Sequence, residues 1–221
     1  MVDTQALWLT LRLASVTTVL LLCVAIPLSY WLAFGKARWR PIVEAVATLP
    51  LLLPPTVLGF YLLILLGPRT APGRMLIRLT GHPVAFSFAG LVIGSMIYSL
   101  PFAVQPITSG FTALSSDVLD AARLLGAGNF RILAEVVLPL TRRSILTAAV
   151  LCFTHTVGEF GVVLMIGGDI PGSTRTLSIA MFDQVQDFRY REANHTALLL
   201  LAVSLLALII VYGWRKQVRH A

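Results

Sequence analysis

Residues 13–34 read LASVTTVLLLCVAIPLSYWLAF, 22 positions without one charged side chain. Wound as an α-helix at 1.5 Å per residue, a run of this length is about 33 Å long, enough to cross a hydrocarbon core of about 30 Å. The apolar character begins upstream at Ala6, so the first span is expected over 6–34, with Arg12 at its edge. Four more segments have the same character, at about 45–66, 84–104, 144–166 and 196–214. Trp8, Trp31 and Trp214 lie near segment ends, where amphipathic rings settle at the membrane–water interface.

The whole chain agrees with that stretch. Of its 221 residues 57% are hydrophobic and only 12% charged, against roughly 25% charged in a soluble domain. The expected fold is therefore an all-α integral membrane protein with five transmembrane helices. One membrane domain over 6–214 and a basic tail at 215–221 account for the chain, with no separate soluble domain. The N-terminal run is too long for a cleavable signal and lacks a basic segment before it. Cys23 and Cys152 sit inside apolar runs and read as small hydrophobes. No Cys/His spacing points to a metal site, so none is expected.

The net charge of +7 lies in short basic clusters between apolar runs, not in one patch. That is the pattern of the positive-inside rule and of anionic headgroups, and it argues against nucleic acid as a partner. With the N-terminus outside, ten basic residues fall on the inner side: Lys36, Arg38, Arg40, Arg123, Arg131, Arg142, Arg143, Arg215, Lys216 and Arg219. Six fall outside: Arg69, Arg74, Arg78, Arg175, Arg189 and Arg191. The bias favours N-out, C-in.

The inner connection 115–139 carries the most specific pattern. Ser115 or Ser116 caps a short helix, with Asp117 at the positive end of its dipole. Val118, Ala121, Ala122 and Leu125 form an apolar stripe at helical spacing. Gly126 suits the left-handed position that ends a helix, and Asn129 is placed to cap a second helix running to Pro139. A short helix with two alanines on its apolar face fits close docking of another protein. The alternative is a helix lying on the membrane surface, a role usually filled by larger apolar residues and Lys/Arg-rich polar faces.

Asp120-Ala121-Ala122, Gly126, Val136 and Leu138-Pro139 resemble, in identity and spacing, the EAA signature of ABC-importer permeases. The resemblance implies the type I importer permease fold and makes this segment a cytoplasmic coupling helix. Asp120, Ala121, Ala122, Arg123, Leu125, Gly126, Leu138 and Pro139 would then meet an ATPase subunit. Asp120 replaces the usual Glu and Val136 the usual Ile. Three further stretches are similar to permeases of the molybdate-importer family: Leu49 to Gly59, Gly158-Glu159-Phe160-Gly161, and Ile170 to Thr176. Such a permease works as a homodimer in the bacterial inner membrane, with two ATPase subunits and a periplasmic oxyanion-binding protein. ATP and Mg would sit on the ATPase and no cofactor on this chain.

Within the membrane, Pro50, Pro54 and Pro55 remove backbone donors and bend their helix, which is tolerated where the backbone lines a cavity. Pro54, Pro55, Thr56 and Gly59 are therefore pathway candidates, or else mark a packing kink. Glu159 is an intramembrane acid, functional by default, and His155 is four residues away on the same helical face. A carboxylate is a poor anion ligand, so Glu159 reads as gate or interhelix glue. Gly158, Phe160 and Gly161 flank it. At the outer mouth, Ser173, Thr174 and Arg175 supply donors suited to an oxyanion, or simply begin a capped helix.

The sequence has no GxxxxGK[ST] loop and no arrangement of nucleophile, base or paired carboxylates that makes an enzyme. Importing a dianion against an inside-negative potential costs about 4–5 kcal/mol per 100 mV, so the energy must come from elsewhere. A separate ATPase is the first expectation. Tungstate and sulfate are alternative cargoes, and an ion-coupled carrier or a membrane enzyme using His155 and Glu159 are the competing classes.

Overall fold

The computed structural model describes residues 3–216, with side chains through Ile210, so the expected basic tail 215–221 and Trp214 lie outside the described side chains. Every regular element among the described residues is helical. The first helix, α1 (Thr4–Phe34), is 31 residues long. The Asp3 carboxylate starts it by accepting from the Gln5 and Ala6 amides, both at 3.0 Å. At its far end the Arg40 guanidinium donates to the Gly35 and Leu32 carbonyls, which have no partners in the helix. Leu9, Leu13, Leu21 and Leu32 turn inward, whereas Trp8, Val19 and Val24 stay exposed.

The second expected span, 45–66, is not one helix. α2 (Arg40–Thr48) runs into a 3-10 turn at Leu49–Leu51, and α3 (Pro55–Leu66) leaves it at 111°. Consecutive prolines lack the amide protons that a continuous helix needs, and Pro54 takes an extended ψ of 133°. α3 has 12 residues, about 18 Å of helix, too short to cross alone. A short helix α4 (Ala71–Thr80) follows, capped by Thr70 and ended by Gly81 at φ 78°.

α5 (Phe88–Thr112) has the length and hydropathy of a membrane crossing, as do α1 and the segment 190–210. After α5 comes α6 (Ser116–Leu124), then α7 (Asn129–Ile132), a π turn (Leu133–Val137) and α8 (Leu138–Leu140). The π turn immediately precedes Pro139 and widens the helix where an i→i−4 donor is missing. Gly128, not Asn129, holds the capping position of α7, and it does so without a side-chain bond.

The fourth expected span, 144–166, also breaks. α9 (Arg142–Gly158) stops, Glu159 is extended at ψ 136°, and α10 (Gly161–Gly167) begins after Phe160. Two long-range contacts hold the break. The Ser178 hydroxyl donates to the Glu159 carbonyl at 2.5 Å, and Gly161 lies so close to α3 that an added Cβ would meet Pro55 Cβ at 2.6 Å. α11 (Leu177–Gln186) and α12 (Tyr190–Lys216) complete the chain.

α1, α5 and α9 pack together as the centre of the bundle. One core cluster joins Leu21, Leu32, Ile107, Phe111 and Cys152 from these helices to Leu119, Ile132 and Val137 from the 115–139 connection. That connection is therefore anchored into the end of the bundle and does not hang from it as a loop.

Candidate functional site

The 115–139 segment begins as its residues dictate. The Ser115 hydroxyl accepts the Asp117 amide at 3.2 Å, and Gly126 has φ 81°, a left-handed conformation that a side chain disfavours. Asp120 and Arg123 pair across one turn at 2.7 Å, both exposed. The expected stripe of Val118, Ala121, Ala122 and Leu125 is corrected by the packing. Leu119 is buried at 5%, and Ala122 packs beside it against the α1–α5–α9 core. Ala121 faces out, and Leu124 and Leu125 are 89% and 87% exposed, with Phe130 at 82%. Leu138 is half-buried and Pro139 exposed at the other end of the segment. Large apolar side chains this exposed, off the membrane-length helices, mark a candidate contact surface for a protein or a membrane.

Deeper in the bundle, a cavity of about 480 Å³ brings together the two motifs that the sequence separates by a hundred residues. Pro55 and Thr56 come from the start of α3, and Gly158 to Gly161 from the α9–α10 break. Tyr98, Thr154 and His155 complete the lining and were not among the expected pathway residues. Pro54 sits at the N-cap of α3, outside the lining. Gly59 also lies outside it, in the α3–α10 seam, where an added Cβ would meet Met165 Cβ at 2.7 Å.

The expected pairing of His155 with Glu159 does not occur, because the helix ends between them at Gly158. His155 Nδ1 is 2.9 Å from the Ser99 hydroxyl, and its ring stacks on Phe102 at 4.1 Å. Ser99 also reaches Thr156 at 3.2 Å, tying α5 to α9. Glu159 is 4% exposed, and among the described residues neither of its carboxylate oxygens has a hydrogen-bond partner. The Ser95 hydroxyl is likewise buried and unpartnered. Unpaired polar groups at membrane depth are costly, which makes Glu159 a candidate functional position.

The outer turn is more internally engaged than its composition implied. The Arg175 guanidinium pairs with Asp169, with one bond at 2.7 Å, and lies 3.5 Å from Asp183. That hydrogen bond holds the Asp169 carboxyl below its usual range, whereas burial raises Asp183. The Thr174 hydroxyl is fully buried, donating to the Gly167 carbonyl at 2.7 Å and accepting the Ile170 amide. The Leu177 amide at the start of α11 is taken by the Thr10 hydroxyl of α1 at 2.8 Å. Ser173 remains exposed. Of these donors, Thr174 and Arg175 are engaged within the outer cluster, and Ser173 is not. No three His, Cys, Asp or Glu side chains gather as a metal site among the described residues.

Comparison with known proteins places this geometry. Residues 25–218 match the family described as binding-protein-dependent transport system inner membrane component. The chain is 48% identical over 214 residues to a molybdenum transport system permease protein of Azotobacter vinelandii, covering 97% of this chain and 95% of that one. Its identity to the corresponding protein of Escherichia coli K12 is 34%, covering 82% and 80%. A chloroplastic sulfate permease of Chlamydomonas reinhardtii is 33% identical, covering 96% of this chain and 56% of the relative. Among solved structures, the MetNI methionine ABC transporter in an inward-facing form matches with TM-score 0.74 and 16% identity over 96% of this chain and 94% of that one. A bacterial ABC transporter importing alginate matches with TM-score 0.75 and 16% identity, covering 97% and 79%.

Proposed function

The chain belongs to the family of binding-protein-dependent transport system inner membrane components, and from that premise we propose that it forms the membrane pathway of an ATP-driven molybdate importer. It is a multi-pass inner-membrane transport subunit and not an enzyme, with ATP hydrolysis on a separate subunit. The observation that carries the coupling is the end of α6, where Leu124 and Leu125 are almost fully exposed beside a left-handed Gly126. Molybdate is favoured as cargo by the near-full-length likeness to a molybdenum permease, at higher identity than the sulfate permease. The proposed assembly is two copies of this chain, two ATPases docked on the α6 ends, and a periplasmic binding protein. The proposed topology counts each broken pair as one span, giving five, with the N-terminus outside. Glu159 is the proposed gate, a buried acid at the α9–α10 break that moves when the bundle rearranges.

The test is reconstitution of the chain with its ATPase and binding protein in proteoliposomes. Molybdate uptake is expected to require ATP, to stop with vanadate and to survive an uncoupler. Uptake that an uncoupler abolishes, with no ATPase needed, overturns the reading in favour of an ion-coupled carrier. Leu124→Asp should lose bound ATPase while the bundle stays folded, since exposed substitutions usually shift stability by no more than about 0.5 kcal/mol. A cysteine at Asp3 should react with an impermeant thiol reagent from the periplasm, and one at Asn129 only after lysis.

A further inference from the structure

A second polar cavity, of about 410 Å³, lies at the other end of the α5–α9 contact, lined by Pro106, Ser109, Arg143, Ser144 and Thr147. It is at the end of the bundle where α5 enters the coupling connection and α9 leaves it. The helices run antiparallel here: Ser99 meets Thr156, and Gly110 lies against Ser144. Tyr98, Phe102, Pro106 and Ser109 fall on one stripe of α5, and Arg143, Thr147, Thr154 and Gly158 on one stripe of α9. The two cavities therefore lie along one α5–α9 seam. From the His155 level to the Arg143 level it runs about 18 Å along α9 at 1.5 Å per residue.

The central cavity is bordered by Glu159, whose carboxylate oxygens are buried, whereas the lower one presents a guanidinium. Among the described residues no carboxylate pairs with Arg143, nor with the adjacent Arg142. The Ser109 and Ser144 hydroxyls line the same cavity, and neither is engaged by another described group. The Thr147 hydroxyl is spent, donating to the Arg143 carbonyl at 2.9 Å. What remains open is a fork of N–H donors flanked by two hydroxyls, a set that suits a tetrahedral oxyanion.

We propose that Arg143, with the Ser109 and Ser144 hydroxyls, forms an oxyanion-binding station at the coupling end of the pathway, where the imported anion pauses before release. The inference rests on the permease reading. It adds an attractive site below the central cavity, so that an anion leaving that cavity is drawn onward. Arg142, the adjacent residue, does not line the cavity and serves as the control.

The test uses the chain assembled with its ATPase, purified without nucleotide or binding protein, and equilibrium dialysis against radiolabelled molybdate. Arg143→Gln should weaken retention roughly tenfold or more, the scale of a lost charged hydrogen bond. Arg143→Lys should restore part of it, the Ser109→Ala/Ser144→Ala pair should weaken it by less, and Arg142→Gln should leave it unchanged. Co-purified ATPase, measured on each variant, must stay at the parent level. In proteoliposomes, Arg143→Gln should then import less molybdate per ATP. Equal retention and equal import by the parent and Arg143→Gln overturn the station and leave the permease assignment intact. A parent complex that imports no molybdate overturns that assignment itself. Retention that depends on Arg143 but is abolished by added anionic phospholipid assigns the cavity to a headgroup and overturns the station.

Discussion

Along α12 the outward positions are Leu198, Leu201, Leu205, Leu206, Ile209 and Ile210, each more than half exposed and without a polar atom. Along the α5–α9 groove, Tyr98, Phe102 and Pro106 alternate with the polar Gln105, Ser109, Arg143, Thr147, Thr154 and His155, all exposed or half-exposed. Both surfaces belong to helices of the membrane bundle, and neither is covered by the chain itself. Hydrocarbon accepts the first at no cost and penalises the second, because nothing in the bilayer core replaces the hydrogen bonds of water. One exposed face is thus made for lipid and the other for protein or water. The threonines of the polar face partly protect themselves: Thr147 and Thr154 each return their proton to a carbonyl one turn back.

The comparison breaks first where a charge is placed on the apolar side. Leu205→Asp should cost about 2.5–3.5 kcal/mol of insertion free energy at mid-helix and sharply reduce the detergent-extractable folded protein. Thr147→Asp on the polar face should leave that yield near the parent level. Equal yields from the two variants would mean that both faces meet the same medium.

A smaller effect separates two glycines of the broken span. Gly161→Val forces a side chain against Pro55 and should cost about 1–3 kcal/mol of strain, visible as a lowered Tm of the purified protein. Gly158 lines the cavity with nothing within 4 Å of an added Cβ, so Gly158→Ala should keep the parent Tm. If Gly158→Ala destabilises as much as Gly161→Val, the cavity beside it is filled by packing and is no pathway.

How far these features could be read in advance depends on the range of the interactions that create them. The Ser115 cap and the left-handed Gly126 were readable because both are decided within a few residues. The inward face of α6 was not. Apolar residues stand at 118, 119, 121, 122, 124 and 125, and only contact with the core of α1 and α5 selects Leu119 and Ala122. The break at Glu159 was hidden in the same way. Hydropathy continues across it, and its causes, the Ser178 bond and the approach of Pro55, lie far off in sequence. The composition 173–176 leaves an anion site and a capped helix equally open, and the acids that surround Arg175, Asp169 and Asp183, lie outside that stretch.

That outer cluster yields the smallest expected effect. Asp169→Asn should cost about 1 kcal/mol, the upper end for a partly exposed ion pair. The Asp169 carboxyl is held below its ordinary value by Arg175, so its contribution is complete above about pH 4 and is lost as the pH falls through the depressed folded value. The parent should therefore lose Tm on acidification below about pH 4 more steeply than Asp169→Asn. Parallel curves would mean that the clamp contributes nothing measurable and that Arg175 is free for other duties.

The contrast between the two exposed faces is tested most directly by single cysteines in a background with Cys23 and Cys152 replaced by serine. Thr147→Cys and Leu201→Cys, each in the assembled transporter in native membranes opened to both sides, are treated with a charged thiol reagent that dissolves only in water. The account predicts rapid labelling at 147, slowed by bound oxyanion, and no labelling at 201 on the same timescale. Labelling at 201 with none at 147 would contradict it, placing lipid against the α5–α9 groove and water against α12.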